Sequence, residues 1–377
     1  MIRLAPGLRS GTMSVPVSKS HAHRVLIAEF LAGRAECLAP AKDDCDDIIA
    51  TKRCLREVER WKSGKVKKSA VGEESLSLDC GESGTTRRLL GPVVAALGVK
   101  PNWIMRGRLA SRPQIDYATL APGVQTLAGD VSSQFVSGLL FALPLLDGDS
   151  EIRLSSPLAS RGYVDMTLGV LKTYGIGVEE LHTGFLVPGR QRFVAPADGP
   201  RIETDWSGAA FPLAMKALGN AIEIDAASAA GLRDDSLQPD RAVVVLLAKM
   251  SGAGEIEIDV DECPDIFPVL SVVAAKRNGV TRFVGIRRLR LKESDRVAAM
   301  ADVLTRFGVA VEVTDEQFIV RGRVMPLCGG MFRSFSDHRI AMSIAVGATV
   351  SDGVVEIDDA ECAAKSFPTF FSQFAAR

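Results

Sequence analysis

Several short segments of this chain gather the residue types that bind anions and move protons. Ser18-Lys19-Ser20-His21-Ala22-His23-Arg24 sets two cations and two hydroxyls at the start of an apolar run. Gly81-Glu82-Ser83-Gly84-Thr85-Thr86-Arg87-Arg88 is a small-residue turn with two arginines, and its glycines let a ligand approach the backbone. Ser132-Ser133-Gln134 offers hydroxyl and amide donors suited to a phosphate. Leu291-Lys292-Glu293-Ser294-Asp295-Arg296 spaces Lys292 and Arg296 at i and i+4, which predicts that they share one helix face. Asp337-His338-Arg339 and Ala364-Lys365-Ser366 add two more cations. Arg grips a carboxylate or phosphate with a two-pronged fork, and Lys supplies a point charge. The set suits a small substrate carrying several negative charges. The turn at 81–88 lacks the G-x-x-x-x-G-K-[ST] spacing of a P-loop, so it does not indicate an ATP site.

Each group also has a plainer reading. Lys292, Glu293, Asp295 and Arg296 would equally make a solvated helix face. Asp265, following Pro264, would equally be a helix cap. Glu82 would pair with Arg87 or Arg88 and do nothing else. His21, His23 and His338 read first as packing residues or as supports for other groups. Among the tyrosines, only Tyr163 stands apart from a packing role.

The elements that must position these groups recur along the chain. Six times, small or polar residues lead straight into an apolar helix-like run, with starts roughly 50 to 75 residues apart. The runs are Val25 to Leu31, Leu89 to Leu97, Phe135 to Leu143, Phe211 to Leu218, Ile266 to Ala275 and Ile340 to Val346. Ser, Thr and Asp at these starts cap open backbone N–H groups, and helix starts attract anions. Further amphipathic stretches follow, several closed by Gly: Tyr163 to Tyr174, Asp240 to Met250 and Lys292 to Phe307. Alternating runs such as Glu255 to Val260 and Val354 to Ile357 read as half-buried strands. Each unit then holds two helices and a few strands, and six units would make two lobes of three.

Composition narrows the class. The 377 residues suggest about two to three domains. Apolar residues at 47% and charged residues at 24% match a soluble globular protein. The 45 Lys+Arg nearly cancel the 46 Asp+Glu, which excludes a strongly basic nucleic-acid binder and an acidic tail. The seven cysteines show no C-x-x-C pair, so neither a disulfide framework nor a zinc site is indicated. No run approaches the ~20 apolar residues of a membrane span, and the first twelve residues do not read as a signal peptide.

With these residues in view, the chain resembles the 3-phosphoshikimate 1-carboxyvinyltransferase (EPSP synthase) family. The resemblance rests on eight motifs in order: Ser-Lys-Ser-x-x-x-Arg, Gly-Thr-x-x-Arg, Arg112-Pro113, Ser-Ser-Gln, Pro-Asp, Lys-Glu-Ser-Asp-Arg, Asp-His-Arg and Ala-Lys-Ser-Phe-Pro. It implies an α/β fold of two similar lobes, each of three βαβαββ units, an inside-out α/β barrel arrangement with the active site in the cleft between lobes. By that analogy residues 18–203 form one lobe, and 1–17 with 204–377 the other. It implies transfer of the enolpyruvyl group of phosphoenolpyruvate to the 5-hydroxyl of shikimate 3-phosphate, with release of phosphate. No metal or organic cofactor is implied, and neither is a nucleic-acid or membrane partner. A monomer is the family's expectation, and the unpaired cysteine pattern reads as reduced thiols of a cytoplasmic protein.

Carried over residue by residue, the resemblance assigns Lys19, Ser20, Arg24, Ser132, Ser133, Gln134, Ser160, Asp265 and Lys292 to shikimate 3-phosphate. Lys19, Gly84, Arg112, Gln134, Arg296, Arg339 and Lys365 resemble the phosphoenolpyruvate contacts. Asp265 resembles the base and Glu293 the proton donor, with Lys19 a second participant. A free Glu (~4.3) would be ionised at neutral pH, so donation by Glu293 calls for a raised pKa or a shared proton network. The chain departs from the family pattern at Val17, Glu82 and Arg288. The sister enzyme, UDP-N-acetylglucosamine enolpyruvyl transferase, usually carries a reactive Cys in a loop that would lie between Arg88 and Arg112, and no Cys occurs there. A non-catalytic anion-binding homologue is opposed by the presence of Asp265, Lys292 and Glu293.

Overall fold

The computed structural model describes residues 1–64 and 76–375. The chain divides into two compact units, one the continuous segment Lys19–Ile202 and the other Met1–Ser18 joined to Glu203–Arg377.

The continuous unit carries α1 (Lys19–Leu31), α2 (Asp46–Lys62), α3 (Gly84–Ala96), α4 (Ser133–Ala142) and α5 (Arg161–Thr173). Strands Ser77–Gly81 and Asn102–Met105 pair in parallel. A second sheet has Gly123–Leu127 parallel to Ser150–Leu154, which pairs antiparallel with Gly184–Val187, itself antiparallel to Glu179–Leu181. With α4 and α5 between its strands, this stretch is a complete βαβαββ unit.

The discontinuous unit adds α6 (Trp206–Ala217), α7 (Ala226–Gly231), α8 (Val243–Met250), α9 (Phe267–Ala275), α10 (Arg296–Arg306), α11 (His338–Ala348) and α12 (Phe370–Ala375). Its four-stranded sheet repeats the same order and directions: Ile256–Asp259, Val280–Val284, Phe318–Arg321, Ala310–Val313. The chain's two ends meet in this unit. Ile2–Leu4 pairs antiparallel with Val355–Ile357, which runs parallel to Gly330–Phe332. Ser10–Met13 runs parallel to Ala221–Ile224. The three remaining sheets, among the described residues, have two or three strands rather than four.

All six expected helix starts are present, and their chemistry is visible. Ser83, Ser132, Asp205 and Asp337 accept backbone N–H groups of the first turns of α3, α4, α6 and α11. Each such cap is worth about 1 kcal/mol. Gly308 closes α10 with φ +76°, and the Val309 N–H reaches back to the Leu304 carbonyl, as a left-handed C-cap requires.

α9 and α11 are buried along their whole length, as suits helices apolar on every side. Beneath α9, Phe267 meets Phe283 and Phe318 edge to face, at 5.4 and 5.2 Å between ring centres. Within α11 the ionisable side chains, His338 and Arg339, lie in the first turn, and Asp265 stands just before α9.

Candidate active site

In the discontinuous unit the centre of the cluster is Asp265. It precedes α9, but Ile266 occupies the cap position, so its carboxylate is not spent on the helix start. It receives Arg296 Nη1 at 2.8 Å, Arg339 Nη2 at 3.3 Å and Lys292 Nζ at 3.5 Å. Arg296 is 1% exposed and also donates to Glu293 Oε2 and Asp337 Oδ2, both at 3.0 Å. Asp337 in turn accepts the Arg339 N–H at 2.9 Å and the Ser294 hydroxyl at 3.0 Å.

The expected shared helix face of Lys292 and Arg296 is not what forms. Lys292 ends the 3-10 turn Arg287–Leu291, and Asp295 caps a new helix at Arg296. The Asp295 side chain accepts the Ala298 N–H, which restarts the chain direction between the two cations. They converge on Asp265 across that break rather than along a helix.

The electrostatics follow from burial and pairing. Burial alone would push the Asp265 carboxyl up, but Lys292, Arg339 and Arg296 outweigh it and hold it well below the usual range. Burial pulls the Lys292 ammonium down, against Asp265. Arg339 is held above its usual value, against burial, by Asp265, Asp205 and Asp240. Two of its buried N–H groups, Nε and Nη1, meet no acceptor among the described residues. Lys365 ends the 3-10 turn Glu361–Lys365, packed on α11, and is 8% exposed.

In the continuous unit Lys19 opens α1, and its ammonium reaches Asp47 Oδ2 at 2.9 Å in a largely buried pair. Gly84 opens α3 and lies against Arg112. A methyl group built at Gly84 would stand 3.1 Å from Arg112 Nη1. Gln134 is held at both ends of its amide, accepting from Arg88 Nη1 and donating to Thr85 Oγ1, each at 2.9 Å. Ser132 caps α4 and Ser133 begins it, buried. Ser160 begins α5 at φ +53°, a strained conformation for a non-glycine residue and one that gathers at functional sites. Ser20 follows Lys19 in the first turn of α1 and is half-buried, its carbonyl accepting from Arg24 Nη1 at 2.6 Å.

Arg24 is 1% exposed and engaged inside the protein: Nε on Thr167 Oγ1 at 2.8 Å, Nη1 on the Ser20 carbonyl at 2.6 Å, and Nη2 on the Tyr163 carbonyl at 2.9 Å. It clamps α1 to α5. Arg87 stacks on Trp103 at 4.6 Å, and Arg288 pairs with Asp261.

Sequence reasoning passed over Asp47 and Asp337 as site residues. Asp337 carried a signal, since it stands in the Asp-His-Arg motif. Asp47 carried none: it lies 28 residues from the lysine it pairs with.

The fold has solved counterparts. An EPSP synthase from Acinetobacter baumannii superposes with a TM-score of 0.72 at 22% identity, covering 100% of this chain and 97% of that one. The enolpyruvyl transferase NikO from Streptomyces tendae gives 0.65 at 14% identity, covering 99% and 96%. These likenesses define the architecture as that of the enolpyruvyl transferases. A family model described as EPSP synthase (3-phosphoshikimate 1-carboxyvinyltransferase) matches residues 104–374. Proteins named 3-phosphoshikimate 1-carboxyvinyltransferase from Clostridioides difficile (strain 630) and Clostridium botulinum (strain Eklund 17B / Type B) are each 34% identical, covering 99% of this chain and 96% of the relative. The chain belongs to the EPSP synthase family.

Proposed function

We infer that the chain transfers the enolpyruvyl group of phosphoenolpyruvate to the 5-hydroxyl of shikimate 3-phosphate and releases phosphate. The observation that carries this beyond family membership is Arg339, whose buried Nε and Nη1 meet no acceptor among the described residues while Asp265 holds Nη2. A buried N–H left unsatisfied costs about 1–3 kcal/mol, so this pair of donors is built for an anion. A carboxylate or phosphate oxygen of phosphoenolpyruvate supplies it.

The assignment of roles follows. Gly84, Arg112, Arg296, Arg339, Lys365 and Lys19 hold phosphoenolpyruvate, with Gln134 beside it. Ser132, Ser133, Ser160, Ser20 and Arg24 serve the phosphate and ring of shikimate 3-phosphate, with Lys292 and Asp265 at its hydroxyls. Both substrates are polyanions, and clustered cations offset the repulsion between them. A proton must reach the methylene carbon of phosphoenolpyruvate while the hydroxyl oxygen attacks the neighbouring carbon. Departure of phosphate and of a methyl proton then restores the double bond. Glu293 is assigned the donor role, with Lys19 a second participant, and Asp265 the base.

The low pKa of Asp265 has a consequence for this scheme. With Lys292, Arg339 and Arg296 facing it alone, the carboxylate is a weak base. Anionic substrates offset that positive field and raise its basicity, so the base strengthens only when both reactants are bound. We further propose that the enzyme works as a monomer in the cytoplasm. Sedimentation velocity showing a dimer at micromolar concentration would count against the first, and fractionation with membranes against the second.

The direct test is phosphate release from phosphoenolpyruvate, with and without shikimate 3-phosphate, in wild type and in Asp265→Ala. Release needing both substrates, with kcat lower by about 10²–10⁴ in the variant, is the expected outcome for loss of a general base. Release with UDP-N-acetylglucosamine in place of shikimate 3-phosphate would overturn the substrate assignment.

A further inference from the structure

The starts of α1, α2 and α3 carry Lys19, Asp47 and Gly84, and a line of buried polar side chains runs among these helices. His23 Nδ1 lies 2.7 Å from Thr51 Oγ1, Thr51 Oγ1 lies 2.7 Å from Thr86 Oγ1, and Thr86 Oγ1 lies 2.7 Å from Ser83 Oγ. His23, Thr51 and Thr86 are 0% exposed and Ser83 is 1%. None of the four belongs to the substrate contacts assigned above.

The direction of the chain can be worked out from its buried end. His23 Nε2 is buried and has no hydrogen-bond partner among the described residues. Burial, joined by Lys19 and Arg24 and opposed by Asp47, pushes the imidazole down to about 3, so the ring is neutral at working pH and carries one N–H. An N–H at Nε2 would be a buried donor without an acceptor, the costlier of the two orphans. The proton therefore sits on Nδ1 and is donated to Thr51. Thr51, having accepted, donates to Thr86, and Thr86 donates to Ser83. Ser83 Oγ also accepts the Thr86 N–H at 3.3 Å, which makes it the cap of α3. Both threonine hydroxyls then point the same way, towards the helix start that bears Gly84, with the Asp47 carbonyl a longer second acceptor for Thr86 at 3.4 Å.

We propose that His23, Thr51 and Thr86 are positioning residues, a one-way hydrogen-bond chain that fixes the first turn of α3 against α1 and α2 and so keeps Gly84 in register with Lys19. The Lys19–Asp47 pair also ties α1 to α2 at the same end, so these two helices are joined by two routes, and α3 is joined to them through Thr86. The chain acts on substrate only through the groups it places. That consequence rests on reading Lys19 and Gly84 as phosphoenolpyruvate contacts.

The test uses the full chain and near-isosteric changes. Thr51→Val and Thr86→Val remove a link while keeping the volume, and Thr51→Ser restores the hydroxyl. The expected result is a KM for phosphoenolpyruvate raised about tenfold in both valine variants, the worth of one net buried hydrogen bond, with kcat and the KM for shikimate 3-phosphate nearly unchanged. Thr51→Ser stays near wild type. Ring ¹⁵N chemical shifts of His23 show the neutral Nδ1–H tautomer from about pH 5 to about pH 8. Valine variants that lose thermal stability but keep the wild-type KM would reduce the chain to packing and overturn the proposal. An Nε2–H tautomer would overturn its direction. A wild type without turnover would sink the enolpyruvyl-transfer reading and leave the tautomer result to decide the chain's direction.

Discussion

Asp265 and Asp240 show how much a single residue's surroundings decide. Both belong to one unit, Asp240 buried and Asp265 half-buried. Asp265 faces Lys292, Arg339 and Arg296 and stays ionised far into acid. Asp240 is pushed up to about 6, chiefly by burial and then by Asp265, against Arg339 and the Ser207 hydroxyl bonded to it. A carboxyl whose folded pKa is raised binds more protons folded than unfolded, so it weakens the fold as pH rises from about 4 through about 6. Asp240→Asn keeps an oxygen for Ser207 and removes the buried charge. It should stabilise the protein by about 2–3 kcal/mol at pH 8 and by little at pH 4, read from urea unfolding at the two pH values. A gain of equal size at both would show that charge is not the cause. Gly84 gives a second test at this scale. Gly84→Ala puts a methyl 3.1 Å from Arg112 Nη1. The guanidinium must move by a few tenths of an ångström, which predicts a several-fold higher KM for phosphoenolpyruvate with the melting temperature nearly unchanged. An unaltered KM would separate Arg112 from that substrate.

Among the elements, helix starts were the most legible feature of the sequence. Ser83, Ser132, Asp205 and Asp337 announce their helices because capping is local chemistry that a few residues carry by themselves. What the sequence hid was convergence. Nothing local brings Asp47 to Lys19, and the i,i+4 spacing of Lys292 and Arg296 suggested a continuous helix where Asp295 caps a new one. The contact between α3 and α4 was equally invisible, though it sets Gln134 between Thr85 and Arg88. That crossing is close enough that a methyl group on Gly138 would collide with the Arg88 carbonyl and approach Leu89 Cα at 3.3 Å. Gly138→Ala should therefore cost about 1–3 kcal/mol of stability by forcing the helices apart, measurable by denaturant titration. A neutral change would mean the crossing has room to relax.

At the scale of the molecule, the repeat expected from six similar segments is complete in two places, where the βαβαββ order and strand directions coincide in both units. The polar starts of buried helices explain why the repeat could be seen: each unit needs an apolar helix and a cap, and both leave marks in sequence. The pairing of distant strands left none. The continuous unit, Lys19–Ile202, owns its own core, which includes Leu55, Leu90, Leu140 and Phe141. Expressed alone, it should unfold cooperatively in urea. Residues 203–377 alone lack the partner of Ala221–Ile224 and one of the two partners of Val355–Ile357 and should show no such transition. A sharp transition from the second fragment would show those strands to be dispensable.

Ile2 pairs with Ile357, and that register has a meaning in time. At roughly 5–20 residues per second, a ribosome needs about 20–70 s to travel between the two partners. Throughout that interval the first strand is made but has nothing to bind, while the inserted unit has emerged whole and can close around its own core. Synthesis thus finishes one half of the enzyme before the other can begin to be complete, and the exposed edge of Ile2–Leu4 is the surface that a chaperone has longest to find.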